Sequence, residues 1–393
     1  MKPKSTRIES IDILRGIIMV IMALDHVRAY FHYGSFFSDP TNLETTTPIL
    51  FFTRFITHFC APIFVFLAGN SAFLYGSKKT KHELFKFLFS RGIWLIILEF
   101  TINNLIWTFD FNYSFIIVQV IWTIGICMVF LSFLIYLPKK VIFAIGIILV
   151  AGHNALDGIV LEGESFKAIL WYILHQGKFF VFSPDSILYI HYPIIPWIGL
   201  MALGYLFGTF YQNGFNVAVR KKWLLYLGFG AIILFFVLRL SNVYGDLVPW
   251  TQQETTTKTI ISFLNVTKYP PSLSYLCITM GPALLFLYAV ETTKNKVTDF
   301  FLVFGRVPLF YYFLHMLVIH TLAIVSILIF GGHWQDMIID AASFLNKNLL
   351  TYGYSLFAVY IIWIGVILLL YPICKKYMNY KANNKDKWWL SYL

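Results

Sequence analysis

Charge is scarce in this chain. Asp, Glu, Lys and Arg make up 12% of its 393 residues, about half of the roughly 25% typical of soluble domains. No stretch is polar and long enough to build a soluble domain of useful size. Cysteine is sparse too. Cys60, Cys127, Cys277 and Cys374 all fall in apolar runs and none belongs to a CxxC pair. That excludes a disulfide framework and a zinc spacing, and buried free thiols are expected. A phosphate-cradling glycine-rich loop, a serine-nucleophile elbow and a metal-ligand motif are also missing, so no metal is expected. No repeat period is visible. The first apolar run lacks a small-residue cleavage site and reads as a retained helix, not a removed signal peptide.

What is there is apolar: 59% of the chain is hydrophobic, in runs near the length of about twenty residues that spans a bilayer. The expected fold is an all-α integral membrane protein, one domain over residues 1–393. It is a bundle of about ten transmembrane helices, roughly 11–33, 48–75, 84–107, 114–137, 141–155, 193–211, 223–240, 273–291, 308–330 and 354–374. A basic tail, 375–393, is expected to fray. The segment from Leu156 to Tyr192 is too interrupted to span and reads as interfacial or re-entrant. Lys and Arg number about nineteen in the segments on the N-terminal side and about five in the opposite loops, which places both termini in the cytoplasm. The net charge of +11 is thereby a signature of anionic membrane lipids, not of nucleic acid.

The stretch Arg7 to His32 is long enough to span, yet it carries Asp12, Arg15, Asp25, His26 and Arg28. Each such group costs roughly 2.5–3.5 kcal/mol at membrane depth, which marks a functional interior by default. A rise of about 1.5 Å per residue puts Arg15 roughly 6 Å and His26 roughly 22 Å along the helix. Arg54 and His58, four apart in the next helix, share a face and lie within about a turn of the depth of His26. Asp25, His26, Arg54 and His58 are therefore the candidate catalytic cluster, with a histidine as general base and Asp25 compensating Arg54 or holding a histidine's second nitrogen. The competing reading is a set of buried pairs that fix helix register. Nearer the N-terminal side, Arg15, Arg91 and Arg306 would bind phosphate groups if they face inward together, or snorkel to headgroups if they do not. His315 and His320, five apart, point about 140° from each other and read as core or pore-lining, with catalysis as the alternative. His191 and His32 read as interfacial. FCAPIFVFLAGNSAF, with Gly69, and Gly204-xxx-Gly208 are packing patterns.

Six stretches point further: SIDILRGIIMVIMALDHVRAYFH, FFTRFITHFCAPIFVFLAG, VQVIWTIGICM, YPIIPWIGLMALGYLFG, KYPPSLSYLCITMGPALL and FGRVPLFYYFLHMLVIH. With them the chain resembles the bacterial membrane proteins related to the catalytic domain of heparan-alpha-glucosaminide N-acetyltransferase. The first stretch also looks like the wider transmembrane acyltransferase superfamily of glycan O-acetylating enzymes, in which a helix-borne His follows an LDxLRG-like Arg by eleven residues, as His26 follows Arg15. The resemblance implies acetyl transfer from cytosolic acetyl-coenzyme A to an amine or hydroxyl of a glycan or amino-sugar acceptor across a bacterial inner membrane. It puts His26 at the essential-histidine position and the inner arginines towards the coenzyme. The loop Gly34 to Thr47 departs from the lysosomal enzyme's pattern, since it lacks the histidine found there, so amine and hydroxyl acceptors both stay open. A homodimer is left open too. The rival readings are a proton-coupled transporter using Asp25 and the histidines, and a haem carrier ligated by His26 and His58.

Overall fold

The computed structural model describes residues 8–347 and 349–391. The basic start of the chain and the last two residues of the tail lie outside them. The chain is mostly helical, at 69%, and among the described residues five helical stretches, the tandem pair Pro48–Gly76 counted as one, are long and apolar enough to cross a membrane.

The first charged stretch is one unbroken helix, α1 (Glu9–Phe31). The expected helix 48–75 is instead two in tandem, α2 (Pro48–Thr57) and α3 (Cys60–Gly76). Pro62 accounts for the break, because it has no N–H for the carbonyl of His58. That freed carbonyl accepts the Tyr275 hydroxyl at 2.7 Å. Next comes α4 (Lys81–Leu98), started by a reciprocal cap in which Thr80 and Glu83 each satisfy the other's backbone N–H. It runs into a π-turn, Glu99–Asn103, and α5 (Asn104–Thr108).

The expected helix 114–137 is shorter: β1 (Phe115–Val118) precedes α6 (Val120–Leu134). The cause is Glu99, whose buried carboxylate accepts the N–H groups of Gln119 at 3.0 Å and Trp122 at 2.8 Å. It caps α6 from outside, so the helix starts there. α7 (Lys139–Ala151) is followed by a 3-10 turn, His153–Leu156.

The segment read as re-entrant folds as α8 (Phe166–Trp171), a π-turn Tyr172–Gln176, β2 (Lys178–Ser183) and β3 (Ser186–Ile190). β3 pairs antiparallel with β2 and parallel with β1. This three-stranded sheet departs from the all-α expectation. Its strands are four to six residues long and carry no run that periodicity can register.

α9 (Ile195–Phe207) and α10 (Val217–Ser241) follow. The loop expected to run to Ser272 contains α11 (Thr256–Leu264). α12 (Leu273–Val290) is joined to α14 (Pro308–Ile329) by a separate helix that was not expected, α13 (Lys296–Arg306). After α15 (Ala341–Asn346), α16 (Leu356–Asn383) continues past Cys374, so the tail expected to fray is helical as far as Asn383.

α1 sits at the centre, in contact with α2, α3, α12, α13, α14 and α16. It crosses α13 with almost no gap: a Cβ at Gly16 would lie 1.9 Å from the Phe301 carbonyl oxygen, and one at Gly305 would lie 1.9 Å from that of Asp12. Gly69 and Gly204 do the same between α3 and α9, at 2.1 and 2.2 Å from backbone oxygens. Small residues thus let backbones touch where hydrophobic pressure between helices is lacking. Large apolar side chains such as Phe229, Ile233 and Val237 of α10 stay exposed, as a lipid-facing surface requires.

Candidate functional site

A cavity of about 370 Å³ opens between α1, α3, α4, α6 and α14 at the end of the molecule where α1 begins. Arg15, Arg91 and Arg306 all line it, joined by Lys381. Its walls are otherwise largely apolar, with Met19, Leu67, Leu95 and Met128 among them. Three arginines spread over 291 positions of sequence therefore converge on one concavity, as their positions near one end of the spans predict. Each is held. Arg15 donates to Asp12 at 2.8 Å, to the Gly305 carbonyl at 3.2 Å and to Ser71 at 3.1 Å. Arg306 is 3.5 Å from Glu9 and 3.8 Å from Asp12. Arg91 lies over the Phe87 ring at 5.7 Å. A positive rim on an apolar shaft suits a ligand with an anionic head and an uncharged tail.

Tyr312 also lines the cavity, and its ring meets His26 edge-on at 6.1 Å. Its hydroxyl accepts a hydrogen bond from the Trp107 indole at 3.2 Å, and Trp107 packs edge-on against His26 at 5.0 Å. His26 thus lies behind an aromatic wall at the inner end of the shaft.

The ring of His26 faces α14. Its Nδ1 is 2.7 Å from Nε2 of His315, and Nδ1 of His315 is 2.8 Å from the Tyr311 carbonyl oxygen. A carbonyl can only accept, so in the neutral pair His315 carries its proton on Nδ1 and its Nε2 accepts. His26 must then donate from Nδ1, which leaves its own Nε2 with an unprotonated lone pair. This backbone–His–His chain fixes the tautomer in which His26 can act as a base.

Asp25 does not hold this histidine. Neighbours on a helix point about 100° apart, and Asp25 turns to the other side. There it pairs with Arg54 at 2.5 Å and with Arg28 at 3.1 Å. His58 packs against Tyr275 at 5.5 Å, and its Nδ1 has no hydrogen-bond partner. The four residues of the expected cluster therefore divide into an Asp25–Arg28–Arg54 ion network beside His58, and a separate His26–His315 pair.

Sequence reasoning missed several groups around that network. Lys268 is buried and sits over the Tyr269 ring at 5.1 Å. His191 packs on Tyr269 at 3.8 Å, and Tyr269 reaches the Tyr192 hydroxyl at 3.5 Å. Together they form a polar, aromatic cluster near Asp25 that has no residue in common with the lining of the arginine-rimmed cavity. A signal existed: Tyr312 and His315 are three apart on one face of α14, and KYPPS concentrates polar groups before α12. His320, by contrast, is held between the carbonyls of Ile106 and Met337, at 2.9 Å from each, a structural clasp between α5 and the loop after α14.

Residues 7–238 match the family described as heparan-alpha-glucosaminide N-acetyltransferase, catalytic. The match takes in Arg15, Asp25, His26, Arg54, His58 and Arg91, and stops short of Lys268, Arg306, Tyr312 and His315. No curated protein matches the chain.

Proposed function

The chain belongs to the catalytic family of heparan-alpha-glucosaminide N-acetyltransferase, and from that premise we propose that it moves an acetyl group from acetyl-coenzyme A to a glycan-type acceptor across a membrane. In this reading the ten apolar segments cross the bacterial inner membrane with both termini in the cytoplasm. The arginine-rimmed cavity then opens to the cytosol, and the acceptor recess is assigned to the cluster around Asp25 and Lys268, towards the outer side.

The observation that carries the proposal is the shape and lining of the cavity. Arg15, Arg91 and Arg306 bind the phosphates of the coenzyme at the rim. The apolar shaft takes the uncharged pantetheine arm and aims the thioester at Tyr312 and His26. The acceptor's amine or hydroxyl approaches from the recess. As it attacks the thioester carbonyl, Nε2 of His26 takes its proton. The tetrahedral intermediate collapses with loss of the coenzyme thiolate, which takes that proton from His26 and departs as the thiol. The Tyr312 hydroxyl, which accepts the Trp107 indole N–H and so keeps its own proton to give, is the donor for the developing oxyanion. Asp25 and Arg54 act on the outer side, where their charges orient a polar acceptor. His315 is a positioning residue, and His58 borders the acceptor recess.

The test is transfer of labelled acetyl from acetyl-coenzyme A to glucosamine and to hydroxyl acceptors by the purified protein in nanodiscs. His26→Ala should abolish transfer while acetyl-coenzyme A still raises the melting temperature by mass action. Transfer by His26→Ala at the wild-type rate would remove His26 from the mechanism. Substrate flux in liposomes without coenzyme A would favour the transporter instead.

A further inference from the structure

At the end of the molecule opposite the arginine rim, two segments meet. The 3-10 turn after α7 supplies His153 and is followed directly by Asp157, and the π-turn after α8 supplies His175. One ligand-type atom from each of these three residues lies within 4.8 Å of the other two. Both histidines are buried, at 2% and 3% exposure. The sequence showed no such cluster because His153 and His175 are twenty-two positions apart, in no ligand spacing a motif records.

The hydrogen bonding of the cluster is incomplete. Neither ring nitrogen of His153 has a hydrogen-bond partner, and the Pro271 carbonyl approaches without completing one. Nδ1 of His175 is unpartnered as well. An imidazole enclosed in protein normally finds a partner for its N–H, and leaving it unmet costs about 1–3 kcal/mol. Asp157 is oriented from behind. Its Oδ2 accepts from the Asn154 amide at 2.8 Å, and its Oδ1 is 3.0 Å from Nε2 of His175. Asn154 is itself anchored, since its Oδ1 accepts the N–H of Leu273 at the start of α12 at 3.0 Å. That is an outer-shell arrangement of the kind that fixes a coordinating carboxylate.

We infer that His153, Asp157 and His175 form a binding site for a divalent transition-metal ion of zinc type. Two imidazoles and one carboxylate are a donor set that suits zinc, and a water completes a tetrahedral shell. Zinc bond lengths of about 2.0–2.1 Å put tetrahedral ligand atoms roughly 3.4 Å apart. The Asp157–His175 contact therefore opens by a few tenths of an ångström and His153 closes in by at most about 1.4 Å. Asp157, with 13% of its side chain exposed, provides the access path. The ion clips the turn after α7 to the π-turn after α8 and, through Asn154, to the first residue of α12. It braces the loops beside the Lys268–Tyr269 cluster without touching the reacting atoms.

The experiment uses the full chain, purified without a histidine tag and stripped with EDTA. Zinc titration followed by elemental analysis should give one equivalent per chain, and zinc should raise the melting temperature. Cobalt should replace it with the intense visible bands of a tetrahedral N/O site. Asp157→Asn and His175→Gln should each lose the bound equivalent, while His26→Ala keeps it. If either variant fails to fold, the wild-type stoichiometry and cobalt spectrum decide alone. Less than about a tenth of an equivalent in the wild type, an octahedral cobalt spectrum, or full retention of zinc by both variants would overturn the assignment.

Discussion

Replacing His315 tests the tautomer chain directly. In the structure its Nε2 accepts from His26 Nδ1 at 2.7 Å, and no other ring-nitrogen partner of His26 is recorded among the described residues. His315→Ala leaves that N–H without an acceptor. It also removes the group that stabilises the imidazolium formed when His26 takes the acceptor's proton. A hydrogen bond to a charged group is worth about 1.5–3 kcal/mol net. At about 1.4 kcal/mol per factor of ten, kcat should fall roughly ten- to a hundred-fold. The Michaelis constant for acetyl-coenzyme A should hold, because the arginine rim lies on other elements. His315→Gln sets a carbonyl oxygen close to where Nε2 stood and should recover most of the rate, whereas His315→Asn, one bond shorter, should not. The assay is initial-rate transfer of labelled acetyl, with melting curves to confirm that each variant is folded. A folded His315→Ala enzyme within about twofold of wild type would refute the positioning role. So would a folded His315→Gln enzyme as slow as the alanine variant.

Three further outcomes follow from the same geometry. Arg306→Gln should raise the Michaelis constant for acetyl-coenzyme A by about tenfold with kcat unchanged, and rates with acetyl-pantetheine, which has no phosphate, should not tell it from wild type. Asp25→Ala strands the Arg28 and Arg54 guanidinium groups, now 3.1 and 2.5 Å from its oxygens. It should cost about 3–5 kcal/mol of stability, read as a lower melting temperature, and an unchanged melt would show that the ion network is not structural. Gly305→Ala forces a Cβ to within 1.9 Å of the Asp12 carbonyl oxygen and should cost about 3 kcal/mol, the upper end for overpacking. Gly230→Ala, which meets nothing within 4 Å, should leave the melt unchanged or slightly raised.

Five of the expected spans were legible because a bilayer demands long apolar runs, and those runs stand out in the sequence. Their ends were less so. α6 begins at Val120 because Glu99, from another helix, caps it, and no local signal around residue 114 carries that information. α13 was missed because FFLVFG is apolar and abuts the next span. The strands were missed because all three are short, and β1 finds its partner β3 more than sixty residues away, Phe115 opposite Ile187. At the site, the three arginines were legible from their depth alone, since any inward-facing cation near one end must share that end with the others. Partners were not. Asp25 and His26 are adjacent in sequence, and only the azimuth of α1 decides that one meets Arg54 and the other His315. Azimuth depends on which helices pack on which side of α1, a property of the whole assembly.

That division of α1 into two faces bears on how the proposed transfer across a membrane would be achieved without moving a substrate through it. The cavity reaches Tyr312 from the end where α1 begins. The ion network and Lys268 lie within electrostatic reach of His26 from the other side. His26, Trp107 and Tyr312 form the partition between them. A donor and an acceptor that each travel half the thickness meet at that partition, and only the acetyl group and a proton need pass. Such a device requires no alternating access, and α1 is locked on α13 towards the arginine end by the Gly16–Gly305 crossing, where a single added carbon has no room. A rigid partition of this kind implies that the coenzyme must leave by the way it came. With transfer at the partition limiting turnover, adding salt, which weakens the grip of the arginines on the phosphates, should lower kcat/KM and leave kcat unchanged. A kcat that rises with salt, in enzyme that stays folded, would show that release of the coenzyme limits turnover instead.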